Sequence, residues 1–212
     1  MRRNLILAHA FLIGLIAAGP VRAGESVAPS SSPRGLSFTG KPLPETRWFL
    51  ITHAGLALRV DEGSPLYERS DAYILTDFGA MRNVGKRWAV GANLYVGADD
   101  YRSRVGPKAR VRYWLGRETA VDAAAGFLLT GNDDWKGTAI FPGYVGEINL
   151  GLKELLVTGA VETVDIEKSG IRERDTSWYV GAKAGGVTGA ILTAVGLAAL
   201  AIILSMDTPS LM

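Results

Sequence analysis

The feature that most constrains this chain is a series of eight apolar, mostly alternating stretches. They fall at roughly 47–59, 71–82, 87–98, 106–116, 119–130, 138–151, 154–164 and 176–183. Apolar and polar residues recurring at period two mark a strand with two unlike faces. Each stretch is about the length of a tilted membrane-spanning strand, ~9–11 residues plus some overhang. The connections alternate as well. "DEGSPLYERS", "DDYRSR", "GNDDWKG" and "DIEKSGIRERD" are long, whereas "NVGK", "GRE" and "LK" are tight. Long loops at one end and short turns at the other predict an all-β fold, an eight-stranded antiparallel up-and-down meander closed into a barrel.

Parity within the strands predicts which face is which. Trp88, Val90, Ala92, Leu94 and Val96 share one face of the third strand, opposite Ala89, Gly91, Asn93 and Gly97. In the fourth, Ala109, Val111, Tyr113 and Leu115 oppose Lys108, Arg110 and Arg112. In the fifth, Val121, Ala123, Ala125, Phe127 and Leu129 oppose Asp122, Ala124 and Gly126. In the sixth, Tyr144, Ile148 and Leu150 oppose Glu147 and Asn149. Asp77 and Glu162 join the polar set. An apolar outside and a polar inside invert the plan of a soluble barrel and fit lipid around a polar lumen. Eight strands leave an interior only wide enough for side chains, so the charges are expected to pair into a salt-bridged plug. Tyr95 and Trp114 fall on the inner parity and count against a clean split, and both faces of the first strand are largely apolar. A soluble sheet with one solvated face stays open as the competing reading. Trp48, Trp88 and Tyr113 take the outward parity near the short-turn end, where an interfacial aromatic girdle belongs.

On these strands, loops and faces the chain resembles the small eight-stranded outer-membrane barrels of the OmpA and OmpX type. The resemblance covers about 47–180 and is architectural, without a specific motif. It implies a Gram-negative bacterial outer membrane, short turns in the periplasm and long loops outside. The chain departs from that type after "SWYVGAK", where an apolar segment follows in place of a terminal aromatic strand end.

The flanks read separately. "MRRN", the apolar run "LILAHAFLIGLIAA" and the small residues Val21 and Ala23 predict an export signal over 1–23. Residues 24–46, rich in Pro, Ser and Gly, predict a flexible leader, with the barrel spanning 47–183. An apolar helix is expected over 184–206, with 207–212 as a tail. From Val187 to Met206 there are 20 residues without a charge, enough to span a bilayer. Gly181, Gly185 and Gly189 recur every four residues as a small-residue ridge for close helix packing. Whether the helix spans the membrane or packs on the barrel is left open.

Composition limits the chemistry. The full chain carries 23 basic and 21 acidic residues. Arg2, Arg3 and Arg22 lie in the signal, so the remainder has 20 against 21 and gives no reason to expect a nucleic-acid partner. There is no Cys, which excludes a disulfide scaffold. Of two His, only His53 lies outside the signal, and one His makes no metal or general-base site. No nucleophile elbow or phosphate loop is present. No cofactor, metal site or catalytic residue is expected. The acidic pairs Asp99/Asp100 and Asp133/Asp134 read as solvated loops. The expected function is that of a non-enzymatic outer-membrane protein with a structural or surface-interaction role, its partners membrane lipid and an unidentified external or periplasmic molecule. The alternative is a periplasmic meander barrel that binds a small hydrophobic ligand and is tethered by its helix to the inner membrane. A third reading, a lipid-modifying enzyme, would pair His53 with a serine such as Ser70 or Ser177.

Overall fold

The structure, a computed structural model, describes residues 37–38, 40–62, 71–98, 103–130 and 138–195. The expected signal, most of the expected leader, the end of the apolar segment and the tail lie outside these residues. So do Ser70 and the acidic pairs Asp99/Asp100 and Asp133/Asp134.

Among the described residues nine strands form one antiparallel sheet: β1 (Trp48–Arg59), β2 (Ala72–Asn83), β3 (Trp88–Ala98), β4 (Ser103–Trp114), β5 (Thr119–Thr130), β6 (Thr138–Ile140), β7 (Gly143–Leu152), β8 (Leu155–Lys168) and β9 (Ile171–Ala184). β9 pairs with both β8 and β1, so the sheet closes. β6 and β7 lie along the same partner, β8, and together make one stave of an eight-strand barrel. The expected sixth strand is therefore split. Phe141 still donates to Asp165 O at 2.9 Å, but Pro142 has no N–H to continue the ladder.

The expected long loop "DIEKSGIRERD" is also corrected. β8 and β9 extend through it and meet at a tight turn where Ser169 and Gly170 hold φ of 54° and 79°. Two positive φ values in succession match the twist of a two-residue hairpin. The charges that resemble loop residues are cross-strand partners: Arg172 and Arg174 each reach an Asp165 oxygen at 3.0 Å. The expected flexible leader does not stay loose to its end. Ser37 O accepts from Leu50 N at 2.8 Å, and Asn83 Nδ2 donates to Thr46 O at 2.6 Å and Lys41 O at 2.8 Å. These bonds lay residues 40–46 over the short-turn mouth and hold Ser37 against β1.

The outer wall carries an apolar band. Leu94, Val111, Phe127, Ile148, Val157 and Val180 are all exposed on it. At ~3.3 Å per residue and a tilt of about 40°, an 11-residue strand such as β3 rises roughly 27 Å.

One helix, α1 (186–195), follows β9. The chain leaves the strand at Gly185, and Gly186 reverses it at φ 61°. α1 folds back over the outer face of β1 and β2. Thr52 Oγ1 donates to Gly186 O at 2.7 Å, and Leu192 packs on Ala54 with Leu56, Ile74 and Ala184 around it. Gly189 lies so close to β1 that a Cβ there would stand 2.0 Å from Thr52 O. Gly181 belongs to β9 and Gly185 to the link, so the three glycines do not form one helix ridge; the strand continues past the position where the helix was expected. Val187, Ile191 and Val195 point away from the barrel at helical spacing and are exposed. Among the described residues no helix is long and apolar enough to cross a membrane.

Gly189→Val should overpack the seam and cost about 1–3 kcal/mol, releasing α1 while the barrel persists. Thermal unfolding combined with limited proteolysis of the helix checks this, and a helix as protected as in the parent chain would contradict it.

Candidate functional site

The lumen is layered. At the short-turn end Phe49, Ile51, Met81, Ala89, Trp114 and Ala120 form an apolar plug. At the long-loop end Tyr73, Leu75, Tyr95, Leu128, Val145 and Tyr179 belong to a second apolar cluster. An ionic layer lies between them, built because strand alternation turns every second side chain inward and the sequence places charged or amide residues at those positions near mid-strand.

Its centre is two carboxylates. Asp77 receives Lys108 at 2.6 Å, Lys183 at 2.7 Å and Arg110 at 3.2 Å. Glu147 receives Lys108 at 2.5 Å, Lys183 at 2.6 Å and Arg110 at 3.1 Å. Asp122 holds Arg112 at 2.6 Å and Arg110 at 3.1 Å. The amides complete the set. Asn93 donates to Asp77 at 2.6 Å and accepts from Arg110 at 3.2 Å. Asn149 donates to Glu147 at 2.7 Å and accepts from Thr158 at 2.6 Å. Higher up, Glu162 accepts from Arg104 Nε at 2.7 Å and from Tyr95 at 2.9 Å. Asp77, Asn93, Lys108, Arg110, Arg112, Asp122, Glu147, Asn149 and Glu162 are all buried, Arg112 the most exposed at 9%.

Sequence reasoning missed Lys183, Arg104 and Thr158. Lys183 closes the expected eighth strand, and the parity of Ser177, Tyr179 and Lys183 against Trp178, Val180 and Ala182 marks it as inward. Tyr95 and Trp114 lie inside, as their parity says, and they do not spoil the split. Each is an aromatic filler with a polar tip: Tyr95 reaches Glu162, and Trp114 Nε1 donates to Asn83 Oδ1 at 2.7 Å. Cations also lie on aromatic faces, Lys108 over Tyr95 at 4.2 Å and Arg104 over Tyr73 at 4.7 Å.

A cavity of about 970 Å³ opens at the short-turn end. His53, Arg112, Trp114 and Asp122 line its inner part, and Glu45, Arg117, Lys153 and Glu154 its rim. Arg117 donates to Glu45 at 3.0 Å and holds that carboxyl below the usual carboxylate range. His53 is buried, and its Nδ1 has no hydrogen-bond partner among the described residues. It does not meet Ser177. His53 abuts Gly185, and Ser177 lies eight residues back along β9, roughly 26 Å away at ~3.3 Å per residue. Among the described residues no group of three or more His, Asp or Glu is placed to hold a metal ion.

The expected girdle residues share the short-turn end of the outer wall. Trp88 and Tyr113 stack with centroids 4.8 Å apart, and Arg82 lies 5.5 Å over the Trp48 ring. No known protein family, curated protein or solved structure matches this chain.

Removing one partner of a buried ion cluster leaves charges uncompensated. Asp77→Asn should therefore cost about 3–5 kcal/mol, whereas Arg174→Gln on the exposed hairpin should cost less than about 1 kcal/mol. Urea unfolding followed by tryptophan fluorescence measures both; equal losses would mean the ionic layer is not what holds the barrel in register.

Proposed function

We propose that this protein is an outer-membrane barrel of a Gram-negative bacterium, exported by its N-terminal segment and without enzymatic activity. In this reading it is an up-and-down barrel of the OmpA/OmpX architecture with an apolar C-terminal helix. It has a structural or surface-interaction role, with the long connections outside the cell. One observation carries the reading: polarity is inverted. The charges sit in the lumen, while the outer wall is a continuous apolar band whose height is near the ~25 Å of a membrane barrel. In water such a band would be a contiguous patch far beyond what a monomer tolerates; in lipid it needs no cover. The exposed stripe of Val187, Ile191 and Val195 fits the same solvent, which makes α1 a helix laid between barrel and lipid.

The filled lumen bears on the role. With Asp77, Glu147 and their three cations at mid-height, there is no room for a wide channel, and the cavity below them carries charged side chains on both its inner wall and its rim, a poor lining for an apolar ligand. The tethered ligand-binder is accordingly the weaker reading. The enzyme reading loses the pairing of His53 with Ser177.

Separating inner from outer membranes on a density gradient, and running each fraction boiled and unboiled, tests the proposal. Outer-membrane material with a heat-dependent mobility shift is expected. Inner-membrane material without a shift would overturn it. Within the outer membrane, Leu94→Arg at mid-height on the outer wall should cost roughly 2–4 kcal/mol, the range for a cation near the bilayer midplane. A cost near zero would place that face in water.

A further inference from the structure

The two rims of the barrel treat their cations differently. At the long-connection end Arg172 and Arg174 are neutralised by Asp165, and Arg59 reaches Asp61 at 3.1 Å. On the β5–β8 side of the short-turn end, Arg117 and Lys41 share Glu45, and Lys153 faces Glu118 at 3.6 Å. Among the described residues the remaining arc, over β1 to β4, has cations only. Arg47, Arg82, Lys86 and Arg87 are all exposed there, and none has a carboxylate partner among the described residues.

The arc is continuous. Asn83 N donates to Arg47 O at 3.0 Å, Trp48 pairs in register with Arg82, and Lys86 and Arg87 occupy the turn into β3. Its cations are interleaved with the girdle. Arg82 covers the Trp48 ring at 5.5 Å, and Arg87 Nη1 donates to the Tyr113 hydroxyl at 3.1 Å while that ring stacks on Trp88. Indole and phenol rings at the edge of an apolar band settle at the depth of lipid headgroups. Four uncompensated cations at that same depth repel one another and call for anions there. A guanidinium meets a phosphate through two parallel N–H···O bonds.

We propose that this arc holds the phosphates of anionic phospholipids in the leaflet at the short-turn end. The inference rests on the membrane reading above and adds the lipid class and the place. Neutral zwitterionic lipids would sit there too, but their ammonium groups give the cations nothing further, so retention should discriminate by net headgroup charge. The attraction should weaken as salt rises.

The full-length chain, folded in detergent, is mixed with equal amounts of phosphatidylglycerol and phosphatidylcholine of matched acyl chains. Native mass spectrometry then reads which lipids remain bound. Retention of phosphatidylglycerol several-fold over phosphatidylcholine is expected, with the ratio falling towards one in the triple variant R82Q/K86Q/R87Q. That variant should keep its heat-dependent mobility shift. If it does not, the three single variants carry the test, and at least one must lower the ratio. A ratio near one in the parent chain, or one unchanged in the variants, overturns the proposal. Loss of the preference on adding excess inorganic phosphate would reassign the arc to free phosphate. Insertion into phosphatidylcholine vesicles without any headgroup preference would sink this inference alone. Failure to insert into vesicles of either composition would remove the membrane reading and this inference together.

Discussion

The structure depends on the bonds that Asp77 and Glu147 make to Lys108, Lys183 and Arg110. These five side chains come from β2, β4, β7 and β9, so they are assembled only when the sheet is closed. A carboxylate this deeply buried is tolerable only when paired, and each of these two has three cationic partners. Strand alternation makes the cluster a check on register. A slip of one residue in β4 would turn Lys108, Arg110 and Arg112 onto the outer wall and bring Ala109 and Val111 inside. Buried ion pairs are weak evidence for net stability, but a cluster that penalises every wrong register specifies one barrel among the many that an apolar lumen would allow.

Filling the lumen with long charged side chains requires room, and the sequence supplies it on the facing strands. Opposite Lys108 stands Gly126, where a Cβ would fall 2.8 Å from the lysine Cγ. Opposite Met81 stands Gly91, with a Cβ 2.7 Å from the methionine Cγ. Large and small residues thus alternate across neighbouring strands, which is how a narrow barrel packs to native density. Apolar layers flank the ionic one on both sides, although Arg112 and Asp122 still reach the cavity at the short-turn end, and Tyr95, Tyr179 and Trp114 turn polar tips to partners.

Much of this was legible in the sequence. β3, β4, β5 and β7 alternate strictly, and their inward residues could be named from parity alone. Legibility failed where local composition imitated something else. In β9 the inward Lys183 sits at the strand's last turn of alternation, two residues before Gly185 and Gly186, where the periodic signal is running out. In the β8–β9 hairpin, Asp165, Arg172 and Arg174 resembled a solvated loop, because their role as cross-strand partners needs the register to be known. Tyr95 and Trp114 resembled misplaced outer aromatics, since an indole or phenol is inward-compatible only when a partner for its polar tip is present, and Glu162 and Asn83 are distant in sequence. The pairing of His53 with Ser177 failed on stagger, a property of closure that no single strand records.

Stagger also explains why a helix follows the barrel. β9 reaches only as far as Ala184, level with Ala54, so among the described residues the Trp48–His53 half of β1 has no strand on its second edge. An open sheet edge leaves a row of N–H and C=O groups without ladder partners. Two unrelated segments meet that edge. Ser37 O takes the N–H of Leu50, and the helix places Gly186 O on the Thr52 hydroxyl while Gly189 and Leu192 cover Thr52 and Ala54. The helix is therefore not an appendage to a finished barrel. It closes a seam left by the barrel's own geometry, and its two faces follow from that position: small residues where the backbone of β1 approaches, and Val187, Ile191 and Val195 where the apolar wall resumes.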